Sequence, residues 1–186
     1  MIPFLIMIVL LALVLTYAAS KPNTFRIERS LLIHASPEKL FPLINDFQRW
    51  ETWSPCDTTG AAMKRSFSGA THGKHAICQW QGIGRTGAGR MEIIVSQPYR
   101  RVIIQIDLVK PRPALHFTEF TFDLVGHDTT VTWAVFGSTP YPHKLLGLFI
   151  NMDRLLGAEF EKGLLNLKHS IENKEAHSVS QHSLGA

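Results

Sequence analysis

HKLLGLFINMDRLLGAEFEKGLLNLKHSI, residues 143–171, decides how the rest of the chain is read. Leu145, Phe149, Met152, Leu156, Phe160, Leu164, Leu167 and Ile171 follow one another in steps of three or four, with Arg154, Glu161, Lys162 and Lys168 set between them. That spacing predicts an amphipathic helix whose apolar stripe is about seven turns long, at roughly 3.6 residues per turn. Such a stripe needs a large apolar partner. What precedes it is a series of short strand-like runs, so the economical arrangement is one sheet wrapped around one helix. Asn151 and Asp153 can each cap a fresh helix start, dividing the stretch into a short lid and a main helix. Gly147, Gly157 and Gly163 each cost the helix about 1 kcal/mol relative to Ala. They are read either as points of close helix–sheet packing or as the give that lets the helix shift and admit a ligand.

Outward from the helix toward the N-terminus, residues 61–137 show strand patterns broken by turns. Runs near Met63, His75, Gly89, Arg101, His116 and Thr129 are punctuated by Gly73, the Gly82-Ile83-Gly84 turn, Gln97-Pro98, Lys110-Pro111 and Gly126-His127-Asp128. Phe120, Phe122 and Leu124 share one face of their strand, as do Val131, Trp133 and Val135. Connections this short predict a meander of antiparallel hairpins, since parallel strands need long crossovers. Before it, FRIERSLLIHA places Phe25, Ile27, Leu31 and Ile33 on one parity, a first strand with a buried face. Ser36-Pro37-Glu38 then opens a short helix with Leu40, Phe41, Leu43, Ile44 and Phe47 on its apolar side, interrupted near Pro42. Trp50 and Trp53 close the following turn. Beyond Ile171 the period is lost, which predicts a frayed tail over residues 173–186.

At 186 residues and 45% hydrophobic content the chain suits one domain with an appendage. The net charge of +4 is scattered in short pairs such as Lys64-Arg65 and Arg100-Arg101, which argues against nucleic acid as a partner. Cys56 and Cys78 form no CxxC and leave the redox compartment open. From Ile2 to Ala19 no residue is charged. About 18 residues at 1.5 Å each approach the thickness of a bilayer, predicting a transmembrane anchor, with a signal peptide as the alternative. Lys21, Arg26, Arg29 and Lys39 follow the segment, and the positive-inside tendency then keeps the domain cytoplasmic. The expected division is a membrane anchor at residues 1–20, a linker at 21–24, the domain at 25–172 and the tail at 173–186.

The stretches FRIERSLLIHASPEKLFPLINDFQRWETWSP, GAGRMEIIVSQPYRRVIIQIDL, TTVTWAVFG and NMDRLLGAEFEKGLLNLK together resemble the polyketide cyclase and dehydratase-like branch of the START-like (SRPBCC) superfamily. The resemblance covers nearly all of residues 25–168. It implies an α+β helix-grip fold, a curved antiparallel sheet gripping the last helix with a cavity between them. The superfamily includes lipid carriers, hormone binders, cyclases and chaperone-ATPase activators, so the fold does not choose among them.

A cavity between sheet and helix suits a hydrophobic small molecule or lipid. The candidate lining residues are Trp50, Trp53, Trp80, Met91, Phe120, Trp133, Phe149, Met152, Leu156 and Phe160, with the two tryptophans of the turn at the mouth. Each taken singly also reads as plain core. A cyclase or dehydratase needs an acid or base within reach of a substrate carbonyl, for which Glu92, Tyr99 and His116 are the available groups. Parity puts Glu92, Gln105, Asp107 and Glu119 on a solvent face, and Arg90 with Glu92 reads as an ion pair or as a polar cavity floor. His72 and His75 lack a third ligand, so no metal and no cofactor is expected. The sequence therefore predicts a monomeric, membrane-tethered binding domain for an apolar guest. The alternatives are a cyclase or dehydratase-type enzyme and a protein-interaction module.

Overall fold

The computed structural model describes residues 2–55, 63–82, 87–148 and 151–183. Helix α1 (Ile2–Ser20) leads into strand β1 (Thr24–Ile33), helix α2 (Pro37–Ile44) and a 3-10 helix (Phe47–Thr52). Six strands follow: β2 (Lys64–Gly69), β3 (Ala76–Gln81), β4 (Ala88–Gln97), β5 (Arg101–Lys110), β6 (Ala114–Val125) and β7 (Asp128–Ser138). Helices α3 (Tyr141–Leu146) and α4 (Met152–Ser183) complete the chain.

The strands form one antiparallel sheet in the order β1-β7-β6-β5-β4-β3-β2. Strands β2 to β7 are consecutive hairpins, as short connections require. Only β1 joins out of sequence, pairing Arg29 with Trp133 and Leu31 with Val131, because α2 and the 3-10 helix carry the chain from one sheet edge to the other. Register shifts at Ala88/Gly89 and Ile93/Val95 mark bulges in β4, which bend the strand and help the sheet curve.

The core lies on the concave side. Ile33, Ile93, Val102, Ile104, Phe120 and Val131 are fully buried there against Leu40, Ile44, Trp53, Leu164 and Leu167. Pro42 is accommodated inside α2, which is only eight residues long. Ser36 precedes α2 without capping it through its side chain; its hydroxyl instead meets the Glu38 carboxylate.

The long helical stretch divides where the capping residues allow. Asn151 Oδ1 accepts from Arg154 N at 3.0 Å, so α4 starts afresh at Met152 and α3 stands apart as a short helix. The α4 backbone stays helical to Ser183. The three glycines differ in role. A Cβ at Gly163 would stand 2.6 Å from Trp133 Cζ3, so this glycine permits close helix–sheet packing. A Cβ at Gly157 would meet the Arg29 guanidinium instead, and Gly147 ends α3.

The N-terminal segment requires a correction. Among the described residues no helix is long and apolar enough to cross a membrane, which overturns the single-pass anchor over residues 2–19 and the membrane localisation built on it. The physical reason lies in how α1 ends. Ala18 is fully buried, Tyr141 Oη donates to Leu15 O at 2.9 Å, and Lys144 Nζ donates to Lys21 O at 2.6 Å. The last turns of α1 therefore belong to the domain. Residues 2–14 remain, about 13 residues or roughly 20 Å, against some 30 Å of hydrocarbon. Phe4, Met7, Leu10 and Leu13 are exposed along them.

Candidate functional site

Side chains alternate across a strand, so the register fixes what faces α4. Phe120 opposes Trp133 on one side and Val102 on the other, and Met91 opposes both Cys78 and Ile106. These residues share the concave face. At its centre the face is filled by aromatic rings. Trp133 stacks on Phe160 of α4 at 4.5 Å, Phe120 lies 5.0 Å from Trp133, and Trp53 lies 5.1 Å from Trp50. Their polar handles are satisfied within the core, as buried indoles require. Trp50 Nε1 donates to Ile44 O, Trp53 Nε1 to Leu43 O, and Trp133 Nε1 to Thr118 Oγ1 at 2.8 Å.

Helix α4 runs chiefly over β1, with lighter contact to β7 and to the 3-10 helix. The concave side of β3 to β5 is consequently less covered. Met91, Ile106, Leu108 and Trp80 are all half-buried on it, and Met91 and Ile106 pack against the core. Trp80 lies across Gly89, where a Cβ would come within 2.4 Å of the indole. That close approach needs glycine. A separate cavity of about 120 Å³ sits between the 3-10 helix and the β2–β3 hairpin, lined by Phe47, Gln48, Phe67, Ala76 and Ile77. It is small for a ligand site of several hundred Å³, and none of the predicted lining residues borders it.

The polar groups of the concave face gather at two places. Arg29 faces α4, where its guanidinium donates to Asp153 Oδ2 at 3.0 Å and Glu161 Oε1 at 2.7 Å. Those hydrogen bonds raise the Arg29 pKa and hold the Asp153 carboxyl below the usual carboxylate range. Gly157 supplies the room that the guanidinium occupies. The second place is His116 on β6, paired with Ile106 and Gly137 and in edge contact with Phe25 at 5.5 Å. Its Nδ1 is buried and has no hydrogen-bond partner. Burial, followed by the charge of His143, pulls its pKa below 6.5.

The predicted lining residues are thus distributed over three environments. Trp50, Trp53, Phe120, Trp133 and Phe160 form the aromatic core, each at most 7% exposed. Trp80, Met91 and Leu156 are half-buried, and Met152 is 46% exposed at the start of α4. Phe149 lies outside the described residues, as does Cys56. Cys78 is a buried free thiol whose pKa is raised by desolvation. Of the acid–base candidates, Tyr99 is exposed in the β4–β5 turn at a φ of 61°. Glu92 pairs with Arg90 and His75 on the convex face, so Arg90 and Glu92 form an ion pair there and no cavity floor. Gln105 and Asp107 share that convex face, as does Glu119 with Arg26. His116 alone of the three faces the helix side.

Two residues escaped the sequence reading. Arg29 sits on the parity of Ile27 and Leu31, and a charge on an apolar parity was the available signal. Lys144 is only 8% exposed, with its ammonium on Lys21 O and Asn23 Oδ1; no local pattern announces that contact.

A curved antiparallel sheet holding a long C-terminal helix on its concave face defines a START-like helix-grip protein. The chain belongs to the family described as polyketide cyclase / dehydrase and lipid transport, whose model matches residues 24–172. Among solved structures it is similar to the di-domain ARO/CYC StfQ of the steffimycin biosynthetic pathway, with a TM-score of 0.63 and 12% identity. That match covers 82% of this chain and 52% of the StfQ chain, so the likeness spans about half of the di-domain protein. A Rhodobacter sphaeroides protein matches with a TM-score of 0.59 and 16% identity over 83% of this chain and 95% of its own. A Chromobacterium violaceum protein gives a TM-score of 0.57 and 16% identity over 82% and 99%. No curated protein matches the sequence. At these identities the solved structures establish the fold.

Proposed function

We propose that residues 25–172, as one monomeric START-like domain with residues 21–24 as linker and 173–186 as tail, bind an apolar small molecule or lipid on the concave face. The observation that carries this reading is the half-buried row of Trp80, Met91, Ile106 and Leu108, left on that face where α4 runs over β1 instead. An apolar surface that is only partly buried gains from a guest, at about 25 cal/mol per Å² removed from water. Of the residues predicted to line the site, this reading gives Trp80, Met91 and Leu156 ligand contact. Trp50, Trp53, Phe120, Trp133 and Phe160 form the rigid wall behind them. Family membership and the likeness to a cyclase fold support the reading.

The test is titration of the full chain with an apolar fluorescent probe such as 1-anilinonaphthalene-8-sulfonate, followed by competition with fatty acids and aromatic ketones. Saturable binding lost in Ile106→Trp, which fills the row, and kept in Met152→Ala is expected. Absence of saturable binding at a protein shown to be folded by circular dichroism sinks the reading.

His116 supports a second reading, a cyclase or dehydratase-type enzyme in which this imidazole takes a proton next to a substrate carbonyl. A half-buried, neutral histidine on the ligand face is what such a base needs. Cyclisation of a model aromatic polyketone that survives His116→Gln unchanged would remove it.

A further inference from the structure

The sheet has two edge strands, β1 and β2, and the chain treats them differently. In an antiparallel pair, alternate residues turn their N–H and C=O groups toward the neighbouring strand and away from it. Thr139 N donates to Asn23 O, so the even-numbered residues of β1 point theirs outward. Two of those outward groups are met by side chains. Glu28 O accepts from Arg29 Nη1 at 2.8 Å, and Leu32 O accepts from the Lys168 ammonium of α4 at 3.4 Å. Helix α4 also packs on β1 itself.

The β2 edge has no such cover among the described residues. Ala70 N donates to His75 O at 3.1 Å, in the register that pairs Ser68 with Ile77 and Ser66 with Gln79. The even-numbered residues of β2 therefore bond to β3, and the odd-numbered ones, Phe67 among them, turn N–H and C=O to the outer side. No described strand pairs with that side, and no described helix packs along it. An edge of this kind is a template for another extended chain. Beside it lies the cavity of about 120 Å³, where Phe67, Ser68 and Gly69 of β2 meet Phe47 and Gln48 of the 3-10 helix. Too small for a free ligand, it suits one apolar side chain. Phe67 itself is 45% exposed. In recognition by strand addition, edge hydrogen bonds hold the incoming backbone and a pocket next to them selects a side chain.

We propose that β2 is a docking edge for an acidic, extended segment of another protein, which adds to the sheet as a further strand and sets one apolar side chain in the Phe47–Phe67 cavity. The apolar guest of the concave face takes no part in it. The hairpin decides the charge of the segment. From Lys64 to Gln81 the chain carries Lys64, Arg65 and Lys74 and no aspartate or glutamate. Acids on the flanking elements are engaged: Glu92 of β4 by Arg90 and His75, and Asp46 before the 3-10 helix by Arg49. A second copy of β2 would bring the same cations to the same edge, so charge complementarity favours an acidic chain over self-pairing.

The probe is the capped peptide Glu-Val-Thr-Leu-Thr-Val-Glu, titrated into the ¹⁵N-labelled full chain. Saturable binding is expected, with slowed hydrogen exchange at the Phe67 amide and little change at the Ser66 amide, which already faces β3. The peptide with lysine at both ends binds about tenfold more weakly, the scale of two surface attractions turned to repulsions. N-methyl groups on the three apolar residues and on the two threonines block opposite edges of the peptide, so one methylated peptide loses binding and the other keeps it. In the protein, Phe67→Pro removes the outward N–H, a change that an edge strand tolerates, and weakens binding severalfold beyond Phe67→Ala. Equal affinity of the acidic and lysine-ended peptides, equal loss in the two methylated ones, or no saturable binding at all overturns the proposal. Self-association that slows exchange at Phe67 without peptide also overturns it, because the edge then belongs to a second copy.

Discussion

His116 gives the concave face its pH signature. Burial, and then the charge of His143, holds its pKa below 6.5, so the unfolded chain takes up a proton that the native ring resists. Where the unfolded state binds more protons, stability rises with pH. Stability is therefore full above about pH 6.5, the ordinary histidine value, and falls as the pH drops through it. Glu38, Glu92 and Asp153 are held below the usual carboxylate range and lose their contribution only in more acid solution. The melting temperature should decline between about pH 7 and 5.5 in the wild-type protein and decline less in His116→Gln. Parallel profiles would show that the ring is not the titrating group. Gly163 tests packing at the same scale. A methyl added there meets Trp133 Cζ3 at 2.6 Å and Pro55 Cδ at 2.9 Å, both on rigid rings. Overpacking of about 1–3 kcal/mol exceeds the gain in helix propensity of about 1 kcal/mol, so Gly163→Ala lowers the urea midpoint. Gly157→Ala meets only the flexible end of Arg29, and the helix gain offsets more of the loss. The two glycines look alike in sequence because the neighbour that separates them comes from β7 in one case and β1 in the other.

At the scale of elements, the chain was most legible where the signal is local. The seven strands and α2 follow period, caps and turns, and the break before Met152 follows Asn151. The pairing of β1 with β7 and the path of α4 over β1 are set by packing between segments about a hundred residues or more apart. That path is also why the aromatic residues predicted at the mouth became core while Met91 and Trp80 stayed half-open. Helix α3 shows the same dependence on distant contacts. Its Lys144 ammonium holds Lys21 O at 2.6 Å and Asn23 Oδ1 at 2.7 Å, tying the lid-like helix to the linker that precedes β1. Hydrogen bonds from a charged donor contribute about 1.5–3 kcal/mol each, offset here by the cost of burying the ammonium. Lys144→Met is accordingly expected to cost about 1–2 kcal/mol in urea unfolding. It should also speed amide hydrogen exchange in α3 and residues 21–24 while leaving β4 to β6 protected. Uniform acceleration across the sheet would mean that α3 is no separate unit.

The whole molecule depends on one sheet reaching from β1 to β2 and one helix closing it, and this asymmetry sets where the chain tolerates loss. Helix α4 is helical to Ser183, and among the residues whose side chains are described its last core positions are Leu164, Leu167 and Ile171, at 1%, 0% and 8% exposure. Burying a leucine or isoleucine contributes about 1.5–3 kcal/mol, so these three together contribute on the order of 5–9 kcal/mol. A domain of this size is stable by about 5–15 kcal/mol. A chain ending after Glu172 keeps all three, together with the Lys168 ammonium near Leu32 O and Glu172. It should unfold cooperatively within about 1 kcal/mol of the full chain, because the residues removed lie past the apolar stripe. A chain ending after Gly163 loses all three and exposes Ile33 and Trp53 of the opposing core, and no cooperative transition is expected. Urea unfolding followed by tryptophan fluorescence separates the cases, since Trp50, Trp53 and Trp133 report on the wall that α4 covers. If the longer truncation product also fails to unfold cooperatively, the helix beyond Glu172 is part of the grip, and the boundary set by the apolar stripe is too short.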